Sequence, residues 1–178
     1  MASDAADPLT PRAQETVAAA RELLEEEGLD GFTMRRLARR LGIRAPSIYK
    51  HLPDKEALEA AVISAGFAEQ AALFQRAVAD SDDPLTSIAP AYRDFARHHP
   101  HLYRLMTERA LHRELLTPGV EERASLALYR ATDGDRALAR AAWAFAHGMT
   151  ILELNNRFPH DADLDAAWER GIAALAPS

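Results

Sequence analysis

Seven basic side chains fall between residues 33 and 55: Arg35, Arg36, Arg39, Arg40, Arg44, Lys50 and Lys55, against one acid, Asp54. Both lysines of the chain lie in this window, yet the chain as a whole has a net charge of −6. Such an asymmetry is the footprint of a nucleic-acid partner on an otherwise acidic protein. A second group able to do chemistry is His98-His99-Pro100-His101. Zinc sites take several His, Cys or carboxylate ligands from converging directions. Here the proline ends a helix and turns the rings apart, and only His98 has a carboxylate one turn away, Asp94. A solvated helix end, favoured by the helix dipole, describes the cluster better than a metal site does. The sequence has no Gly-x-Ser-x-Gly, His-Glu-x-x-His or phosphate-loop pattern. Cysteine is absent, which excludes disulfides, thiolate metal sites and a cysteine nucleophile. A small hydrolytic or metal-dependent enzyme using the histidines is thus the weaker alternative, and neither a cofactor nor a metal is expected.

The basic window contains its own positioning elements. Thr33 is a good helix N-cap, and Phe32 before it can staple onto Leu37. Met34, Leu37, Ala38 and Leu41 share one helical face, while Arg35, Arg36, Arg39 and Arg40 share the other. Gly42 can adopt the left-handed conformation that ends a helix. A second short helix is expected at about 45–51, with Ala45, Ile48 and Leu52 inward and Pro46, Ser47, Lys50 and His51 outward. This is a helix-turn-helix whose second helix suits the major groove of double-stranded DNA. Tyr49, Thr33, Lys55 and the nearby arginines, Arg35 and Arg36 among them, are expected to hold phosphates, which gives affinity without sequence choice. Arg44, Ser47 and Lys50, exposed beside small residues such as Ala45 and Pro46, are expected to reach base edges.

The whole 178-residue chain, 48% apolar and 27% charged, has the balance of an ordinary globular protein. Helical periodicity dominates, giving an all-α fold of about nine helices: 10–28, 34–41, 45–51, 54–79, 84–98, 100–108, 118–131, 135–157 and 162–175. The acidic turn Asp80-Ser81-Asp82-Asp83-Pro84 marks the boundary between an N-terminal unit and the rest. The first nine residues are expected to be flexible and lack the basic character of a leader. No apolar run approaches the roughly 18 residues of a membrane span, so a cytoplasmic location without membrane contact is expected. In the helix at 135–157, Trp143, His147, Thr150 and Leu154 lie on one side, and Leu138, Phe145, Met149 and Leu152 on the other. A helix apolar on two sides is buried between two bodies. It could pair with the helix carrying Leu164, Trp168 and Ile172 and with their symmetry copies, or both could cap a monomeric core.

The pattern Phe32-Thr33, Leu37-Ala38, Leu41-Gly42, Ile48-Tyr49-x-His51-Leu52, Lys55 and Leu58 resembles the DNA-binding domain of TetR-family regulators over about residues 10–65. Leu52 stands where the family usually has an aromatic residue. The second half resembles the TetR subtype named for a Trp-His-Gly signature, here Trp143, His147 and Gly148. The resemblance implies a DNA-binding domain at 10–55, a linking helix at 56–80 and a ligand-binding, dimerising domain at 81–178. It implies a homodimer on operator DNA, with Phe145, Met149, Leu152, Leu164, Trp168 and Ile172 at the interface. It also implies a small-molecule effector, mostly apolar, lined by Tyr92, Phe95, Tyr103, Met106, Trp143 and His147. The function implied is a repressor released by that effector, the alternative being an activator or ligand-independent DNA-binding protein on the same fold.

Overall fold

Thr10 Oγ1 accepts the Ala13 N–H at 3.3 Å and opens α1, Pro11–Gly31, with proline in its first turn. The structure is a computed structural model that describes residues 9–176; the expected flexible segment 1–9 lies, apart from Leu9, outside the described residues. At Gly28 the chain adopts φ 68° and ψ −175°, a conformation open only to glycine, and the helix kinks there instead of ending. The His101 ring lies against Gly28 where a Cβ would stand. Then follow α2, Met34–Arg40, α3, Ala45–Ile48, and α4, Lys55–Val78. Next come α5, Pro84–His98, α6, Pro100–Thr107, a 3₁₀ turn at Arg113–Leu115, α7, Val120–Ala131, α8, Arg136–Leu154, and α9, Leu164–Ala173. Among the described residues there are nine α-helices and no strand.

Three helices are shorter than the periodicity suggests by three or four residues, α9 losing two at each end. The second of the helix-turn-helix pair ends at Ile48, and residues 49–52 continue as turns. α8 stops at Leu154 because Asn156 takes φ 50°. The Arg157 N–H then reaches the Leu152 carbonyl and the Asn156 N–H the Glu153 carbonyl, each at 2.9 Å, a Schellman closure with asparagine in the glycine position.

The chain packs as two compact units, one running to Phe67 and including His99–Glu121, the other made of Ala68–His98 and the residues from Glu122 on. In the first unit the Glu25 carboxylate accepts the N–H groups of His101 (3.3 Å) and Leu102 (2.9 Å), capping α6 from α1. Ser64 Oγ accepts the Thr117 N–H at 3.0 Å, tying the 3₁₀ segment's exit to α4. Leu102 and Met106 pack on Gly66, where a Cβ would displace the Met106 sulfur.

The membrane expectation needs one correction: α4 holds an 18-residue window of mean hydropathy 1.3, long and apolar enough to span by length and composition. Half of that window is buried, Leu58, Val62, Ile63 and Phe74 included, which is the pattern of a core helix.

In the second unit Arg93 of α5 pairs with Glu153 of α8 (2.9 Å) and Asp165 of α9 (2.5 Å), and its guanidinium lies 5.8 Å from the Trp168 ring centroid. Trp168 Nε1 donates to Glu153 at 2.5 Å, and the Trp168 and Phe145 rings meet edge to face at 5.7 Å. Phe145 also rests on Gly171, filling the space a Cβ would need. Gly171→Ala should therefore push α9 off α8 and lower unfolding free energy by roughly 1–3 kcal/mol, as overpacking does. Urea unfolding followed by tryptophan fluorescence measures it; an unchanged midpoint would contradict this packing.

Candidate nucleic-acid interface

The reading head is built from a cap, a glycine turn and a minimal helix. Thr33, extended at φ −130° and ψ 146°, accepts the Arg36 N–H at 3.3 Å and starts α2. Leu37, Ala38 and Met34 are buried beneath it, and Phe32 on the far side of the cap is buried too. At the other end Gly42 has φ 64°. Its N–H reaches the Arg39 carbonyl at 3.1 Å, and the Ile43 N–H reaches the Ala38 carbonyl at 3.0 Å, the paired bonds of a Schellman motif. An L side chain here would carry the cost of the left-handed conformation, of order 1 kcal/mol. The chain then reverses into α3, where the Ser47 N–H bonds the Arg44 carbonyl and Ile48 and Leu52 anchor the inner side.

What remains outside matches the sequence expectation for most positions. Arg44, Pro46, Ser47, Tyr49, Lys50 and His51 are exposed, and Ala45 is half-buried. Among the described residues Arg35, Arg39, Arg44 and Lys50 make no ion pair, so their charges are presented to solvent. Lys55 opens α4, with Asp54 Oδ1 accepting the Ala57 N–H at 2.7 Å. Its ammonium lies 3.3 Å from Glu59 and 5.9 Å from the Phe32 ring centroid, a position fixed by α2's entry.

Arg36 departs from the expectation. It pairs with Glu27 of α1, and Arg40 forks onto Glu26 (2.6 and 2.9 Å) and reaches Glu22 (2.9 Å). The Arg40 fork holds the Glu26 carboxyl below the ordinary glutamate value of 4.5, and the two glutamates push the guanidinium up. Because the folded-state value is depressed, this pair contributes fully above the ordinary glutamate value and is lost as pH falls from there through the lower folded-state value. Sequence reasoning missed the arrangement, although the run Glu25-Glu26-Glu27 was its visible signal.

Tyr92 and Phe95 are buried on α5 in the second unit, with Phe74 stacked 6.1 Å from Tyr92. Tyr103 and Met106 are buried on α6, in the first unit. Trp143 is 48% exposed on α8, with the His147 ring stacked on it at 6.0 Å, so it does not line an interior. The residues of the expected dimer set differ in how far their own chain covers them. Trp168 (5% exposed) and Ile172 (4%) are buried within the chain, and Phe145 packs onto α9. Met149 and Leu164 are half-buried, and Leu152 is 40% exposed. The histidine cluster is dispersed: His98 Nδ1 is 2.7 Å from the Asp94 carbonyl and His101 faces Gly28. Among the described residues no group of three His, Asp or Glu side chains could hold a metal.

Lys50→Ala should change which duplexes are preferred, by roughly 1–3 kcal/mol for a lost base contact. Lys55→Ala should weaken binding to every duplex alike and reduce the salt slope by about one unit. Competition titrations across a salt series separate the two, and unchanged preferences for Lys50→Ala would remove it from the readers.

Comparison with known proteins places these features together. Residues 17–62 match the family model of bacterial regulatory proteins of the tetR family. Residues 85–175 match that of the tetracyclin repressor-like C-terminal domain. The chain is 30% identical over 167 residues to the HTH-type transcriptional regulator Rv0681 of Mycobacterium tuberculosis, covering 86% of this chain and 74% of that protein. A solved structure of a protein of unknown function from Rhodococcus sp. RHA1 superposes with a TM-score of 0.73 at 26% identity, over 94% of this chain and 96% of that one. BioQ, solved with its double-stranded DNA operator, shares the fold at a TM-score of 0.65 and 23% identity, over 93% and 98% of the two chains.

Proposed function

The chain belongs to the TetR family of bacterial transcriptional regulators, and from that premise we propose that it is a repressor acting as a homodimer, with two copies of α3 on one operator. The observation that carries this reading is the division of labour on the helix-turn-helix. Apart from the small ring of Pro46, every apolar residue of α2 and α3 is turned inward or half-covered, while Arg35, Arg44, Ser47 and Lys50 stand outward without an ion pair. Exposed cations beside small side chains are what close docking in a major groove requires. BioQ, which shares the fold, was solved on operator DNA. The reading assigns no catalytic role and a cytoplasmic site of action.

The dimer face is assigned to the outer side of α8. There Trp143 and Leu152 are the exposed large apolar residues, standing at the two opposite edges of the exposed half of the helix, with the exposed small residues Ala141 and Ala144 on the arc between them. Gly148 lies on the same helix, and an added Cβ there would meet no atom of the chain. Trp143, stacked on His147 and followed by Gly148, fits the Trp-His-Gly subtype. An isologous contact between two such helices would cover this face.

The effector site is assigned to the second unit, where Tyr92 and Phe95 of α5 and the small inner face of α8, Ala142, Ala146 and Thr150, are buried. Thr150 Oγ1 is buried without a hydrogen-bond partner, a group that a ligand's polar atom would satisfy. A mostly apolar molecule with one hydrogen-bonding group fits this chemistry. Reading heads on DNA stand roughly 34–36 Å apart, so a small rotation releases them. The effector must bind the released state more tightly than the DNA-bound one.

The test is binding of the purified protein to DNA from upstream of its own gene against scrambled DNA, across a salt series. The expected result is tight, selective binding by dimers, with higher reporter expression when the gene is deleted. Equal weak binding to both DNAs with a steep salt slope, or lower expression on deletion, would contradict the reading.

A further inference from the structure

The four arginines of Met34-Arg35-Arg36-Leu37-Ala38-Arg39-Arg40 divide into two pairs, each four residues apart and so each on one line of the helix. Arg35 and Arg39 have no ion pair among the described residues. Arg36 and Arg40 are both engaged with α1: Arg36 by Glu27, Arg40 by Glu26 through both oxygens and by Glu22. Glu22 and Glu26 are themselves one turn apart, so the Arg40 fork is held by two successive turns of α1. The groove so closed is lined by Leu23, Glu27, Arg36, Arg39 and Arg40.

A guanidinium fork that matches a carboxylate in both bonds fixes direction as well as distance. Arg40 is also the last residue of α2, immediately before the glycine turn that launches α3. Its tether therefore sets where the turn begins.

We propose that Arg40, assisted by Arg36, is a positioning residue for sequence reading: its charge is used on α1 to fix where α3 stands, and Arg35 and Arg39 supply this helix's phosphate contacts. The inference rests on the DNA-binding reading above. It reverses the simple electrostatic expectation, in which every arginine of the basic helix adds affinity for any DNA, and every glutamate beside it subtracts affinity. Removing Glu22 and Glu26 takes two negative charges away from the DNA-binding unit. If Arg40 served phosphates, their loss would strengthen operator binding. If Arg40 positions α3, their loss strengthens only non-specific binding and weakens discrimination.

The experiment uses the full chain and a duplex that the wild-type protein selects from a randomised library, with a scrambled duplex as reference. Affinities are measured across a salt series for Arg40→Gln, Arg39→Gln and the double variant Glu22→Gln/Glu26→Gln, with thermal unfolding to verify folding. For Arg40→Gln the operator-to-scrambled ratio should fall roughly tenfold, the scale of one lost base contact, with the salt slope unchanged. For Arg39→Gln the ratio should hold and the slope should fall by about 0.9. The double glutamine variant should bind scrambled DNA more tightly and discriminate less. Reversing the pair, Arg40→Glu with Glu26→Arg, should restore discrimination, which a role on phosphate would not allow. A slope lost in Arg40→Gln at constant ratio, an unchanged ratio in the double variant, or no rescue by the reversed pair would overturn the proposal. A wild-type chain that enriches no duplex would instead overturn the DNA-binding reading, so the two failures are told apart.

Discussion

A helix of four residues has no stability of its own, because nucleating a helical turn costs more than one turn returns. α3 is such a helix, and in the proposed function its side chains are the ones that meet DNA in a fixed direction. Its position is therefore borrowed from what surrounds it. Gly42 in the left-handed conformation sets the reversal, the Ile43 and Gly42 N–H groups close the end of α2, and Ile48 and Leu52 sink into the core. With any of these loosened, the outward residues would remain present but would no longer point together.

α1 is the common support for that arrangement. Its glutamates work on two sides, with Glu22, Glu26 and Glu27 on α2 and Glu25 on the N-terminus of α6. Exposed ion pairs taken singly contribute little to stability, about 0–1 kcal/mol. Here their effect lies in direction, since a forked guanidinium fixes an angle that apolar packing leaves free. The second unit uses charge in a similar way. Arg93, Glu153, Trp168 and Asp165 join α5, α8 and α9 through one connected set of bonds. Charges inside each unit thus hold helices, and the unpaired cations of the reading head are left for a partner.

The helix-turn-helix was legible in the sequence because its signals are local. Thr33, Gly42 and the alternation of apolar and basic residues each act within one or two turns, and the structure uses each as expected. The ends of α5 and the start of α1 were legible for the same reason, proline and a hydroxyl cap standing at the boundary. What was not legible depends on which distant helix covers which face. α8 is apolar on two sides, and periodicity could not say that Phe145 faces α9 while Trp143 faces outward. Trp168 and Ile172 look like interface residues on a wheel, yet they close the core of their own unit. The pairing of Arg36 and Arg40 joins residues 9 to 18 positions apart, a separation at which sequence spacing carries no geometry. The short α3 reflects the tight turns after Ile48, which no helical pattern marks.

The account stands on two copies of α3 held one turn of DNA apart. The chain has no cysteine, so a single cysteine placed at the exposed Pro53, next to α3, can carry a spin label without competition. Pulsed electron resonance on the operator complex should give one narrow distance between protomers near roughly 34–36 Å, the spacing of successive major grooves. Absence of any interprotomer coupling on saturating operator, or a broad distribution unaffected by DNA, would contradict it.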